Sequence, residues 1–504
     1  MSALSLDRLR RDGQAFMEAI SREYYLAHSG QKATAELQPL YAQYGAIMSD
    51  ESLALVLDAF RAAPPDTEEY RGLRQLLDWQ VESQASRELA ALDEREIAWE
   101  SHAVIATPGG SVPFQRVAID IANSTDRAER LALEAARAKL VAAELAPLRL
   151  ERFQREREIV EGLDLGGGYN ATFDLMAGFS LYELRAECER FLRDTRSMWD
   201  DVYAEFVKRG LGIPPADATR ADALALMRAR EFDGGFPWNG MQDRILGQVR
   251  EMGIAPDAHG RIVFDTGDRE GKRSRAFCSP VRVPDEVYLV LRPHGGQSDW
   301  NTFLHELGHA LHFAYTDPSL PFEYRWMGDN SVTEGYAMLF DHMMQDPRWL
   351  ARYASLSKAD APRFLRSAGF EELQFLRRYC AKLIYETHLY GGDVSWGALP
   401  DLYVQLLTDA TTFRYAPADA FVDVDARYYS ARYLRAWQLQ ALLTETLTAR
   451  FDEDWWRNPA AGPWIVGQLF GHGQRELAQE QAQRVSGKAL SFAPLVRSIE
   501  RLLG

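Results

Sequence analysis

Cysteine is scarce in this chain. Among 504 residues only Cys188, Cys278 and Cys380 occur, far apart and odd in number. They supply no disulfide framework and fit a reducing compartment. Long apolar runs are missing too, for no stretch approaches the roughly 20 residues that a membrane helix needs. The opening segment, Met1-Ser-Ala-Leu-Ser-Leu-Asp-Arg-Leu-Arg-Arg-Asp12, has no extended apolar core and no small-residue cleavage site, so no secretory leader is expected. Positive charge is in deficit. Lys and Arg number 57 against 73 Asp and Glu, a net charge of −16, which argues against nucleic acid or an anionic membrane as partner. A phosphate cradle is also lacking: Gly166-Gly-Gly-Tyr-Asn170 follows no apolar strand and precedes no Lys-Ser/Thr pair. These absences predict a cytoplasmic protein that engages neither nucleic acid nor membrane.

What is present is mostly helical pattern. Apolar residues recur every three or four positions through Leu53–Phe60, Tyr70–Leu77 and Arg127–Leu140, the spacing of amphipathic helices. Pro64-Pro65 and Gly109-Gly110 read as turns. Gly/Pro-rich passages at Gly210–Pro215 and Gly234–Gly240 mark a candidate boundary. They divide an N-terminal helical part, 1–215, from a catalytic part, 216–504, with the lobes expected to intertwine. Three short β-rich segments stand out: Arg261–Phe264, Ser274–Cys278 and Glu286–Arg292. They precede a helix whose cap is expected at Ser298 or Asp299.

That helix carries the chemistry. His305-Glu-Leu-Gly-His309 places two imidazoles four residues apart, one above the other on a single helical face, where both can converge on one ion. Glu306 projects beside them, where a carboxylate can take a proton from a water polarised by the metal. Phe303, Leu304, Leu307 and Leu311 flank the motif. The helix is therefore expected to be buried, and buried histidines without a partner would be costly. His312 lies two turns from His305, too far to join the same coordination shell. A catalytic zinc site needs a third protein ligand, and Glu334, 25 residues after His309 at the start of another helical pattern, is the best candidate. Asp341, seven positions further, shares its face. It either accepts a hydrogen bond from a ligating imidazole or pairs with an ordinary arginine.

Two further features bear on a substrate. The strand ending in Ala276, Phe277 and Cys278 either pairs with an extended peptide through its backbone or belongs to a small structural sheet. Tyr429 and Tyr433 are four apart, so one helical face can present two phenols with Arg432 adjacent. Such donors stabilise the oxyanion of a peptidase transition state, although aromatics at this spacing also serve as core.

The combination resembles the thimet oligopeptidase and oligopeptidase F family of zinc metallopeptidases. The similarity runs through Gly271–Pro280, His305-Glu-Leu-Gly-His-Ala-Leu-His312, Val332-Thr-Glu-Gly335 and Arg427-Tyr-Tyr-Ser430. It implies a mainly α, two-lobed fold with a deep substrate channel and a small β-sheet next to the metal helix. It also implies one zinc ion held by His305, His309 and Glu334, with Glu306 as base and short peptides as substrates. One segment departs: Ala418–Arg427 has no histidine and no glycine, where that family carries both before its tyrosine pair. Arg432-Tyr433 followed by an apolar helix is instead similar to angiotensin-converting-enzyme-type peptidyl dipeptidases. On that likeness Tyr433 is preferred to Tyr429 as oxyanion donor. The expected activity is that of a zinc oligopeptidase. A peptidyl dipeptidase or carboxypeptidase on the same site, or a catalytically silent peptide binder, are the alternatives.

Overall fold

The computed structural model describes residues 4–65, 67–107 and 110–504. The chain is mainly helical, with about 70% of residues in helices and 5% in strands; the strands that exist are therefore few and local. Among the described residues no helix is long and apolar enough to cross a membrane. Of the Gly109-Gly110 turn, Gly109 lies outside the described residues.

Two compact units emerge, each assembled from separated stretches of chain. The first comprises 1–84, 231–365 and 435–495; the second comprises 85–230, 366–434 and 496–504. The division at 215 coincides with neither set of boundaries. Gly/Pro content marks bends in the chain, whereas a compact unit is defined by which surfaces close on each other.

The first unit begins with α1 (Leu6–His28), capped by Ser5, whose side chain accepts from the Arg8 N–H at 3.3 Å. Its buried positions Leu9, Gly13, Phe16 and Ile20 follow the three-to-four spacing of an apolar stripe. The helix α2 (Glu68–His102) follows, and the unit boundary falls within it. In the second unit the helical pattern is interrupted by a hairpin that periodicity does not reveal, β1 (Val104–Thr107) antiparallel to β2 (Gly110–Pro113). Ile105 joins Val117, Ile121, Leu133 and Ala221 in a local core.

A three-stranded sheet lies in the first unit. Its strands are β3 (Ile262–Asp265), β4 (Phe277–Arg282) and β5 (Glu286–Val290), in the order β3–β5–β4. β3 runs parallel to β5, and β4 antiparallel. The expected strand at Ser274–Cys278 is displaced toward the C-terminus, so Phe277 and Cys278 lie on β4 while Ala276 just precedes it. Pairing sets this limit: Phe277 is opposite Val290, where β5 ends, and earlier residues have no strand beside them. Pro280 is tolerated because β4 is an edge strand of the sheet, where a missing N–H need not break a ladder. Tyr25 of α1 stacks on Tyr288 of β5 at 3.7 Å, tying helix to sheet.

Next come α3 (Gln297–Tyr315) and α4 (Asn330–Asp341). Neither Ser298 nor Asp299 caps α3. Gly296 occupies the cap at φ 84, a left-handed conformation that glycine adopts without strain. Asp299 instead reaches back to the N–H groups of His294 and Gly295 at 2.8 and 2.6 Å, and Asp233 accepts from the Gln297 N–H at 3.2 Å. Trp300, Phe303, Leu304, Leu307 and Leu311 are fully buried. Truncating one such aromatic to alanine costs about 3–5 kcal/mol. Every residue of α4 from Ser331 to Asp341 is buried. Two more long helices, α5 (Asp360–Gly391) and α6 (Tyr429–Phe451), contain the unit boundaries after residues 365 and 434.

Candidate metal centre

The side chains of α3 that escape burial share one face. His305, Glu306 and His309 are half-buried while Leu304, Leu307, Gly308 and Ala310 are covered. α4 packs against α3, and Glu334, just past the first turn of α4, comes to both imidazoles. Glu334 Oε2 stands 3.4 Å from His305 Nε2 and 3.6 Å from His309 Nε2. The three candidate ligand atoms all lie within 4.8 Å of one another. The rings of His305 and His309 are 5.0 Å apart and nearly perpendicular, at 84°.

The far nitrogens are committed elsewhere. His305 Nδ1 meets Asp341 Oδ2 at 2.8 Å, and His309 Nδ1 meets Thr333 Oγ1 at 2.9 Å. Both Nε2 atoms thus turn toward Glu334. Asp341 thus accepts from the His305 ring, and its other oxygen is hydrogen-bonded to His342. Ligating histidines are held in this way at zinc sites.

Charge is strongly coupled here. Burial opposes a proton on His305, but hydrogen bonds from its ring to Asp341 and Glu334 outweigh that and raise its pKa to about 10. Burial likewise favours neutral Glu334, yet His309 and His305 hold its carboxyl well below the usual range. Asp341 is also depressed: burial is outweighed by His342 and His305. A cation is therefore favoured between these carboxylates. Two imidazole nitrogens and one carboxylate oxygen, partly accessible and fixed from behind, form a donor set that suits zinc and leaves a position open.

β4 borders the same face. Burial pushes the Cys278 thiol pKa well up, and the negative charge of Glu306 pushes the same way. The metal candidates all belong to the first unit, whereas Tyr429, Arg432 and Tyr433 belong to the second. There the rings of Tyr429 and Tyr433 are 5.0 Å apart and half-buried, and Tyr433 lies 5.8 Å from Tyr379. Arg432 is buried, its guanidinium 5.7 Å from the Phe173 ring.

Thr333, His342 and Tyr379 carried no sequence signal of their own. Thr333 could have been found only as the neighbour of Glu334 on a helix facing the histidines. Comparison with protein-family models and with curated proteins gives no match for this chain.

Proposed function

We propose that the chain is a zinc-dependent oligopeptidase. The observation that carries this is the meeting of His305 Nε2, His309 Nε2 and Glu334 Oε2 within 4.8 Å, with Glu306 on the same half-buried face. His305, His309 and Glu334 would hold the ion. Zinc bound there supplies Lewis acidity toward water and toward a substrate carbonyl.

The protein's own groups do the rest. Glu306 takes a proton from the attacking water as its oxygen bonds to the scissile carbon. As the C–N bond breaks, Glu306 delivers that proton to the departing amine. On the likeness to angiotensin-converting-enzyme-type peptidyl dipeptidases, Tyr433, with Tyr429 or Arg432 assisting, is the expected donor to the developing oxyanion. The backbone at Ala276, Phe277 and Cys278 aligns an extended peptide; β4 is an edge strand of its sheet, which suits such pairing. Asp341 and Thr333 hold the two imidazoles so that their Nε2 lone pairs are presented together. The resemblance to the thimet oligopeptidase and oligopeptidase F family adds a two-lobed form with a deep channel, which selects short peptides over folded chains.

Mass spectrometry of the products from a short-peptide library, with and without a chelator, tests the activity. Chelator-sensitive internal cuts are expected, including in peptides blocked at both ends. Cuts confined to a fixed distance from a free C-terminus would replace this assignment with a peptidyl dipeptidase or carboxypeptidase. No cuts by zinc-loaded protein would reduce it to a peptide binder.

A further inference from the structure

In the second unit one face of α5 stays half-exposed. Glu371, Phe375, Arg378 and Tyr379 lie along it, three or four positions apart in a single row. Lys382 continues the row and is buried.

Both cations on this row are committed. Arg378 is paired with Asp423, and the Lys382 ammonium stands 3.0 Å from Asp425 and 3.4 Å from Asp423. The carboxylate at the other end is not. Among the described residues Glu371 makes no hydrogen bond and no ion pair. The charge that acts on it is the like charge of its neighbour Glu372. Burial and Glu372 together raise its pKa to about 7. Arg378 is seven residues further along, about 10 Å by helical rise, with Phe375 between them in the row.

A carboxylate drawn partly out of water and set beside another is unfavourable by itself, and an incoming cation offsets that cost. The row also fixes where such a cation would stand. Tyr379 is eight residues beyond Glu371, about 12 Å along the axis. Its ring lies 5.8 Å from that of Tyr433, the expected donor to the oxyanion. An extended peptide covers about 12 Å in three to four residues.

We propose that Glu371 receives a positive charge of the substrate, an ammonium or guanidinium carried about three to four residues from the scissile bond. The proposal rests on the oligopeptidase reading and names its substrate class: short peptides with a lysine, an arginine or a free amino terminus at that distance. Glu371 is then a specificity-determining residue.

A peptide series tests this, with lysine, norleucine or glutamate placed in turn at each position on both sides of one cut, at a pH where Glu371 is ionised. Both ends of each peptide are blocked, and a second set has a free amino end. In the zinc-loaded wild type, kcat/KM should rise about tenfold for lysine over norleucine at one position three or four residues from the cut, or on freeing an amino terminus there. The blocked set assigns the charge to a side chain; a gain confined to the free set assigns it to the α-ammonium. Glu371→Gln should bring the ratio close to one, and Glu371→Lys should reverse it in favour of glutamate. A merely structural role would slow all peptides alike and leave the ratio unchanged. Thermal unfolding is recorded for each variant, and if Glu371→Lys does not fold, the glutamine variant decides. Equal rates for lysine, norleucine and glutamate at every position with no effect of a free amino end, or a preference that survives in Glu371→Gln, overturns the proposal and leaves the oligopeptidase reading standing. Zinc-loaded wild type that cleaves none of the peptides overturns both.

Discussion

Gly308 lies flat against the backbone of Ala337: a β-carbon built on Gly308 would stand 2.7 Å from Ala337 Cα and 2.7 Å from the Tyr336 carbonyl oxygen. That approach lets α4 reach the metal face of α3. Gly308→Ala should destabilise the protein by about 1–3 kcal/mol through overpacking. It should also weaken zinc binding, because any retreat of α4 carries Glu334 away from the histidines. Thermal unfolding and chelator competition on the variant check both effects. A variant as stable as wild type would show that the helices can separate without cost.

The charge pattern of the metal-free site sets a pH dependence. His305 is raised from 6.5 to about 10, so its contribution to stability is complete below pH 6.5 and is lost as pH climbs through about 10. Glu334 is depressed from 4.5; its contribution is complete above pH 4.5 and is lost as pH falls toward its folded value. Both are fully present between pH 4.5 and 6.5. Zinc must displace the His305 proton, so apparent affinity should rise about tenfold per pH unit across neutral pH. Chelator competition at two or three pH values measures that slope. A flat profile would mean that His305 is already neutral.

Asp341 should matter through His305. Asp341→Ala leaves Nδ1 of His305 without its acceptor and should lower zinc affinity by about 10–100-fold. Asp341→Asn, which retains an acceptor oxygen, should fall between that variant and wild type. Equal affinity in all three would assign Asp341 to His342 alone.

The phenols of the second unit give a kinetic prediction. Tyr433→Phe should reduce kcat by about 100–1000-fold with little change in KM, the signature of an interaction made in the transition state. Tyr429→Phe should retain most activity. The reverse order would move the oxyanion role to Tyr429.

Much of this site was legible in the sequence because helix geometry is local. A spacing of four from His305 to His309, and of seven from Glu334 to Asp341, fixes which side chains share a face whatever the surroundings. Helical character throughout most of the chain followed from the same periodicity. What escaped depends on partners distant in sequence. Thr333 has meaning only once α4 lies across α3. The start of β4 was set by the end of β5 rather than by its own residues. The cap of α3 passed to Gly296 and Asp233, because Asp299 was drawn to the preceding turn. The β1–β2 hairpin is too short for its alternation to register between long helices.

The central claim is that His305, His309 and Glu334 hold zinc while Glu306 moves the proton. Zinc content and hydrolysis of a blocked peptide, measured side by side for wild type and Glu306→Gln, test it most directly. The account predicts one zinc ion per chain in both proteins. Turnover should be chelator-sensitive in wild type and at least about 100–10,000-fold slower in the variant. A Glu306→Gln protein that still cleaves the peptide at the wild-type rate, or a wild-type protein that cleaves it without zinc, would contradict the account.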